Sequence, residues 1–322
     1  MARIFLTRRI PEEGLAMLRE HEMDIYEGDA PPTKEEIIEG VRGKDVLICL
    51  LTDPIDAEVI DASPRLKIIA NYAVGIDNID VKAATERGIS VTNTPGVLTE
   101  TVADLTWALL MSVARRIVES DAFMRDGKFK GWAPLLMLGS DVHRKTLGII
   151  GAGRIGRAVA ARARGFDMKV LYYSRSRNEE IERSCNARFV DLQTLLEESD
   201  YVSLHTPFNE HTYHLIGEKE LRLMKPSAYL INTARGKCID ERALARALKE
   251  GWIRGAALDV FEHEPAVTPE LLELDNVVLA PHIGSASYET RSKMAVMVAE
   301  NVRAVLQGVM PPNCVNPDVW KK

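Results

Sequence analysis

Nowhere does this chain carry an uncharged apolar run long enough to cross a bilayer. The best candidate, residues 105–114, is about half of the roughly 20 residues a span needs and reads as buried helix. Residues 1–9 read as a short strand flanked by arginines, without the apolar core and cleavage site of a signal peptide, so a cytoplasmic location is expected. There is no basic excess either. Lys and Arg number 41 against 47 Asp and Glu, for a net charge of −6, which disfavours nucleic acid or an anionic membrane as the main partner. Cysteines are few: Cys49, Cys185, Cys238 and Cys314 stand far apart with no C-x-x-C pair, which excludes a disulfide framework. They are expected to be small buried or semi-buried residues in a reducing compartment. His211 and His214 lie three apart in a polar loop, but no cysteine or carboxylate cluster completes a zinc pattern. Solvated loop histidines are expected there, and no metal. Internal repeats and low-complexity segments are also missing, which argues against a solenoid or a disordered chain.

What remains is an ordinary globular composition, 46% apolar and 27% charged over 322 residues, enough for about two domains. Short apolar runs alternate with amphipathic helices from the start. Strands are expected at 3–7, 46–50, 66–70 and 89–91, with helices between them. Pro11 opens one of these helices, carrying Leu15, Met17 and Leu18, and Thr33 with Glu36 forms a capping box for the next. Thr94-Pro95-Gly96 breaks the pattern. A long apolar helix then covers 100–116 and continues in more polar form to about Arg125, in keeping with a connecting helix. Residues 127–138 are irregular but rich in aromatics and leucines, including Phe129, Trp132, Leu135 and Leu138. They suit either a loop covering local core or a subunit contact.

Residues 146–156 organise the second part. Thr146–Ile150 is an apolar strand; Gly151-Ala152-Gly153-Arg154-Ile155-Gly156 gives the spacing G-x-G-x-x-G; residues 154–165 read as a helix, and Lys169–Tyr173 as the following strand. In such a turn the first glycine permits the bend and the second lets the backbone approach a pyrophosphate. The third lets helix and strand pack closely, and the helix N-terminus offers free N–H groups. Further strands are expected at 201–204, 228–232, 255–259 and 277–280, so six strands with crossover helices describe a doubly wound parallel sheet. A final amphipathic helix covers 287–307.

Ligands of such sheets sit beyond the C-terminal strand ends. Three successive ends deliver complementary groups: Thr233-Ala234-Arg235-Gly236, then Asp259 to Pro265 with Glu262 and Glu264, then Pro281-His282-Ile283-Gly284. Where an NAD site would place an Asp or Glu about 20 residues beyond the glycines, this chain has Ser174-Arg175-Ser176-Arg177 and no acid until Glu179. Two guanidiniums and two hydroxyls suit the 2′-phosphate of NADP; the other reading is a solvated basic loop.

With Asn71 to Asp80 (NYAVGIDNID), the glycine loop, Asn232 to Gly236, Leu258 to Pro265 and Ala280 to Ser287 in this order, the chain resembles the D-isomer-specific 2-hydroxyacid dehydrogenases. Within them it is similar to the glyoxylate/hydroxypyruvate reductases. The resemblance spans essentially the whole chain. It implies a flavodoxin-like substrate domain, residues 1–98 and 286–322, split by an inserted Rossmann dinucleotide domain, residues 99–285, each a doubly wound parallel α/β unit. It also implies a catalytic trio of Arg235, Glu264 and His282. Reduction of a 2-oxo acid needs a hydride for the carbonyl carbon and a proton for the developing alkoxide. An imidazolium at His282 can supply that proton, a carboxylate at Glu264 favours its charged form and orients the ring, and the Arg235 fork can hold the substrate carboxylate. Glu262 is the nearer alternative carboxylate, but the family pattern points to the one before Pro265.

By the same resemblance Thr206, Pro207, Thr233, Ala234, Asp259, His282 and Gly284 lie at the cofactor, with Asp259 accepting from the nicotinamide carboxamide. The backbone of Val74 and Gly75 is implied as a second carboxylate cradle, its other reading being a plain glycine turn. Leu51 and Trp132 stand where the substrate side chain would be sensed. Lys237-Cys238 departs from the aliphatic residues more usual after the catalytic Arg-Gly. The expected activity is NADPH-preferring reduction of glyoxylate and hydroxypyruvate, with NAD as the alternative cofactor, by a homodimer. A phosphite or phosphoglycerate dehydrogenase is the alternative within the same chemistry, the latter disfavoured because no regulatory domain follows residue 322. A dinucleotide-sensing corepressor is the alternative from another class.

Overall fold

The computed structural model describes residues 1–321. Met1–Leu98 and the segment from Ser285 onward form one compact unit; Thr99–Gly284 forms the other. In chain order the first unit contributes β1 (Arg3–Leu6), α1 (Glu12–Ala16), β2 (Glu22–Ile25), α2 (Lys34–Val41), β3 (Val46–Cys49), α3 (Ala57–Asp61), β4 (Ile68–Asn71), α4 (Val81–Glu86) and β5 (Ser90–Thr92). The second adds α5 (Thr99–Ala114), α6 (Ile117–Arg125), β6 (Thr146–Ile150), α7 (Arg154–Ala163), β7 (Lys169–Tyr173), α8 (Glu179–Cys185), β8 (Arg188–Phe189), α9 (Leu192–Glu198) and β9 (Tyr201–Leu204). It continues with α10 (Glu218–Leu223), β10 (Tyr229–Asn232), α11 (Glu241–Glu250), β11 (Gly255–Leu258), α12 (Pro269–Leu272) and β12 (Val277–Leu279), and the chain returns to the first unit as α13 (Tyr288–Leu306).

Both sheets are wholly parallel. The first runs β2-β1-β3-β4-β5, the flavodoxin order; the second runs β12-β11-β10-β9-β6-β7-β8, the Rossmann order with an added strand. Each central strand is buried on both faces, as a sheet with helices on both sides requires. β2 and β8 were not expected from the sequence. They are edge strands with exposed residues, so neither carries the continuous apolar run that marks a central strand. α13 lays Ala295, Val298, Ala299 and Val302 against Ile4, Leu6, Leu15 and Leu18. After it the tail docks on β5. Asn316 accepts the Val91 N–H at 2.8 Å and donates to the Ile89 carbonyl at 2.9 Å, and the Trp320 indole donates to Ser90 at 2.9 Å.

The Thr33–Glu36 capping box is present. Pro11 lies one position before its helix, which is shorter than expected and ends before Met17 and Leu18. The long helix after residue 99 does not run on to Arg125. The Ala114 carbonyl accepts the N–H of Ser140 at 2.8 Å instead of continuing the helical ladder, and Arg116 turns into the left-handed region at φ 54°. Its guanidinium then meets Glu119 at 2.7 and 2.9 Å to start α6. Residues 127–138 do not cover local core: Trp132 is 85% exposed, Leu135 79% and Leu138 59%. Beside them a groove of about 550 Å³ opens between α5, α6 and the β12 edge, lined by Val113, Val118, Leu138 and Val278. No helix among the described residues is long and apolar enough to cross a membrane.

Candidate active site

The order of the second sheet reverses between β6 and β9, and the glycine loop leaves β6 at that point. Gly151 sits at φ 100°, and a Cβ there would lie 2.7 Å from the His205 carbonyl group, where the chain leaves β9. A Cβ on Gly156 would lie 2.1 Å from the Gly151 oxygen, so this glycine is what lets α7 press against β6. Gly153 differs: it faces open space, and among the described residues no side chain caps α7. Uncapped N–H groups beneath an open glycine suit the approach of a pyrophosphate. Ala152 is buried in this turn, and its carbonyl accepts the Asn178 amide at 2.8 Å. Asn178 also caps α8, so one side chain ties the loop after β7 to the glycine loop. The sequence reading passed over it, although Asn before Glu-Glu is a helix-start signal.

In the loop after β7, Ser174 is half-buried while Arg175, Ser176 and Arg177 are exposed. Arg177 is not free: its guanidinium meets the Glu182 carboxylate at 2.8 and 3.0 Å, and Tyr172 donates to the same carboxylate at 2.6 Å. These bonds hold Glu182 below the usual carboxylate range, Arg177 first. The absence of acids up to Glu179 therefore overstated how open the second arginine is.

The strand ends of β10, β11 and β12, neighbours in the sheet, carry the other groups. Beyond β10, Asn232 accepts the Ala234 N–H at 3.0 Å and donates to the Arg235 carbonyl at 2.9 Å, which folds the turn and fixes the Arg235 backbone. The Arg235 guanidinium reaches the Ala234 carbonyl at 2.8 Å. Thr233 is buried and its hydroxyl shares a bond of 2.9 Å with Thr106 on α5. Thr206 and Pro207 follow β9, the Thr206 hydroxyl 3.7 Å from the Cys238 sulfur.

Nδ1 of His282 lies 2.8 Å from Oε2 of Glu264, whose Oε1 accepts the Phe261 N–H at 3.0 Å. Burial alone would raise the Glu264 carboxyl, but the bond to His282, its charge, the Phe261 N–H and nearby Arg235 together hold it below its ordinary range. Glu264 is thus a carboxylate acceptor, Nδ1 carries the donated proton, and Nε2 is the ring nitrogen left uncommitted to it. Glu262 is not the partner. It pairs at 2.7 Å with Nε2 of His214, a half-buried ring stacked on Tyr213 rather than the solvated loop histidine expected. His282 itself occupies the left-handed region at φ 53°. Asp259 supports that turn from below, Oδ1 accepting the Ile283 N–H at 2.7 Å and Oδ2 the Gly284 N–H at 2.8 Å. Burial pushes Asp259 up to about 6 against those N–H groups and the His282 charge. Both oxygens, and the Gly284 N–H, are therefore already engaged within the protein.

In the first unit, the loop after β4 is shaped by its carbonyls. Gly75 accepts from Asn71 at 2.8 Å and Val74 from Asn93 at 2.8 Å. No protein acceptor takes the N–H of Val74 or Gly75 among the described residues. Leu51 is 36% exposed after β3, where Asp53 accepts the Leu50 N–H at 2.6 Å.

The family model described as "D-isomer specific 2-hydroxyacid dehydrogenase, NAD binding domain" matches residues 107–284. A glyoxylate reductase of Korarchaeum cryptofilum is 60% identical, the match covering 99% of this chain and 97% of that protein. One from Thermococcus litoralis is 56% identical, with 98% and 97% covered. Among solved structures, a Thermus thermophilus protein superposes with a TM-score of 0.92 at 48% identity, over 97% of this chain and 99% of that one. An NADPH-dependent glyoxylate/hydroxypyruvate reductase of Sinorhizobium meliloti, in complex with NADP and malonate, gives 0.85 at 34% identity, over 98% of this chain and 96% of that one.

Proposed function

Because this chain belongs to the D-isomer-specific 2-hydroxyacid dehydrogenase family, we propose that it reduces glyoxylate, and hydroxypyruvate with it, to the 2-hydroxy acid, with His282 as proton donor. The observation that carries the reading is the 2.8 Å contact between His282 and Glu264, with Arg235 on the adjoining strand end. When bound, the nicotinamide dinucleotide supplies the hydride. The uncapped start of α7 and open Gly153 would hold its pyrophosphate. His282, its ring fixed through Nδ1, holds a proton at Nε2 for the alkoxide oxygen. Arg235 grips the substrate carboxylate and draws charge toward the carbonyl oxygen. In the first unit, the N–H groups of Val74 and Gly75 suit a carboxylate, and Leu51 suits contact with a substrate substituent.

NADPH is the preferred cofactor in this reading. Arg175 and the hydroxyls of Ser174 and Ser176 support it, with Arg177 recruited from Glu182; the NADP-bound relative lends further support. The active form is a homodimer joined through residues 117–138, whose exposed Ile117, Val118, Trp132 and Leu135 suit an interface more than a solvated face. Absorbance assays with a panel of 2-oxo acids and each reduced cofactor test the activity. Turnover of glyoxylate is expected; tight dinucleotide binding without turnover of any acid would favour a sensor instead. Light scattering tests the dimer, and a mass near 35.8 kDa at micromolar concentration would refute it.

A further inference from the structure

The loop that carries Glu264 leaves β11 after Leu258 and reaches regular structure again only at α12. Backbone of this kind needs its course fixed from outside if a side chain on it is to hold one geometry. Glu241 does much of that fixing. It is the first residue of α11 and only 2% exposed. Its Oε1 accepts the backbone N–H of Glu262; its Oε2 accepts the Thr268 hydroxyl at 2.6 Å and the Thr268 N–H at 3.4 Å. One carboxylate therefore grips the loop on both sides of Glu264.

Two further contacts converge on the same peptide. Gly236 lies so close that a Cβ there would come within 1.9 Å of the Phe261 carbonyl group, and His214 pairs with the Glu262 side chain. The short segment that presents Arg235 thus runs on through Gly236 into α11 and holds the loop that presents Glu264. Keeping a carboxylate this buried is costly unless donors meet it, and among the described residues its donors, the Glu262 N–H and the Thr268 N–H and hydroxyl, belong to this loop.

We infer that Glu241 is a positioning residue for the proposed chemistry, fixing residues 261–268 so that Glu264 meets Nδ1 of His282. The inference rests on the reading of Glu264 as the partner of the proton donor. A double-mutant cycle tests it, read as the single-turnover rate of NADPH oxidation by glyoxylate, with dinucleotide affinity and thermal melting as controls. Glu241→Ala is expected to slow that rate by about 10- to 100-fold, the cost of a small misplacement near reacting groups, while dinucleotide affinity holds. Glu241→Gln keeps an acceptor for the Glu262 N–H and is expected to recover most of the loss. In a Glu264→Ala background the same Glu241→Ala change is expected to cost less than about twofold, because nothing is left to position. An equal cost in both backgrounds overturns the inference and leaves the Glu264 reading standing. Wild-type turnover in Glu264→Ala alone overturns that reading, whatever Glu241 does. Should Glu241→Ala fail to fold, Thr268→Val enters the same cycle, with a loss of a few-fold expected and additivity again the refuting result.

Discussion

The loops after β11 and after β7 leave the same sheet on the same edge, yet they are built in opposite ways. The first is anchored from within: buried Glu241 and Gly236, half-buried His214 and the Phe261 N–H all constrain the peptide around Glu264. The second displays Arg175 and Ser176 to solvent and ties Arg177 to the neighbouring Glu182 carboxylate. Proton transfer tolerates little displacement, so its groups are held by short bonds to backbone. Recognition of a phosphate ester needs only charge within reach, so its groups can stay exposed, and they can change without disturbing the fold. Substitutions in the first loop should therefore alter rate, and those in the second should alter choice of cofactor.

The largest effect is expected at His282. Replacing it with Ala or Asn should lower the reduction rate by about two to four decades, the contribution of a positioned general acid. Stopped-flow rates with saturating NADPH would measure this, and a loss under tenfold would remove His282 from proton donation. Arg235→Lys comes next. An ammonium cannot reproduce the fork of donors, and losing one charge-assisted bond of about 1.5–3 kcal/mol should cost about 10- to 100-fold in kcat/KM for glyoxylate. Near-normal saturation by glyoxylate would place Arg235 elsewhere.

On the other side of the comparison, NADPH should be favoured over NADH by about one to three decades in kcat/KM, at 1.4 kcal/mol per decade. Arg175→Ala with Arg177→Ala should erase most of that while sparing NADH turnover. The Glu182 contact sharpens the expectation. Arg175→Ala alone should cost more of the preference than Arg177→Ala alone, and Glu182→Gln should raise it by releasing Arg177. Equal use of both cofactors by the unaltered protein would refute the phosphate site.

The same contrast governs what could be read from the sequence. Central strands and the glycine turn were legible because a doubly buried parallel strand needs an unbroken apolar run and a tight crossover needs glycine. The edge strands β2 and β8 lack that run, and the break at Arg116 depends on Ser140, far along the chain, taking the Ala114 carbonyl. Arg235 and His282 stood out as chemical groups at successive strand ends, and family resemblance chose Glu264 over Glu262 as the carboxylate between them. Glu241, Asn178 and His214 did not, since each acts through a contact to backbone or to a side chain at long sequence distance. A carboxylate at the start of a helix is an ordinary sight; only the fold reveals what it grips.

The smallest effect separates the two roles given to Glu264, orienting the ring and supporting its charge. Glu264→Gln preserves size and one acceptor, so orientation is largely retained, but the amide is neutral. The upper pH limit of reductive activity should then move downward, because the amide carries no charge to set against the ring. Stability should respond with a definite sign. Glu264 is held below its ordinary range in the folded protein, so its ionised form adds stability above the ordinary carboxylate range, and this is lost as pH falls through the lowered value. The unaltered protein should therefore lead Glu264→Gln in urea midpoint near neutrality, with the lead shrinking as the solution is acidified. A pH–rate profile unchanged by Glu264→Gln, together with a midpoint difference that does not narrow on acidification, would reduce Glu264 to a spacer behind the ring.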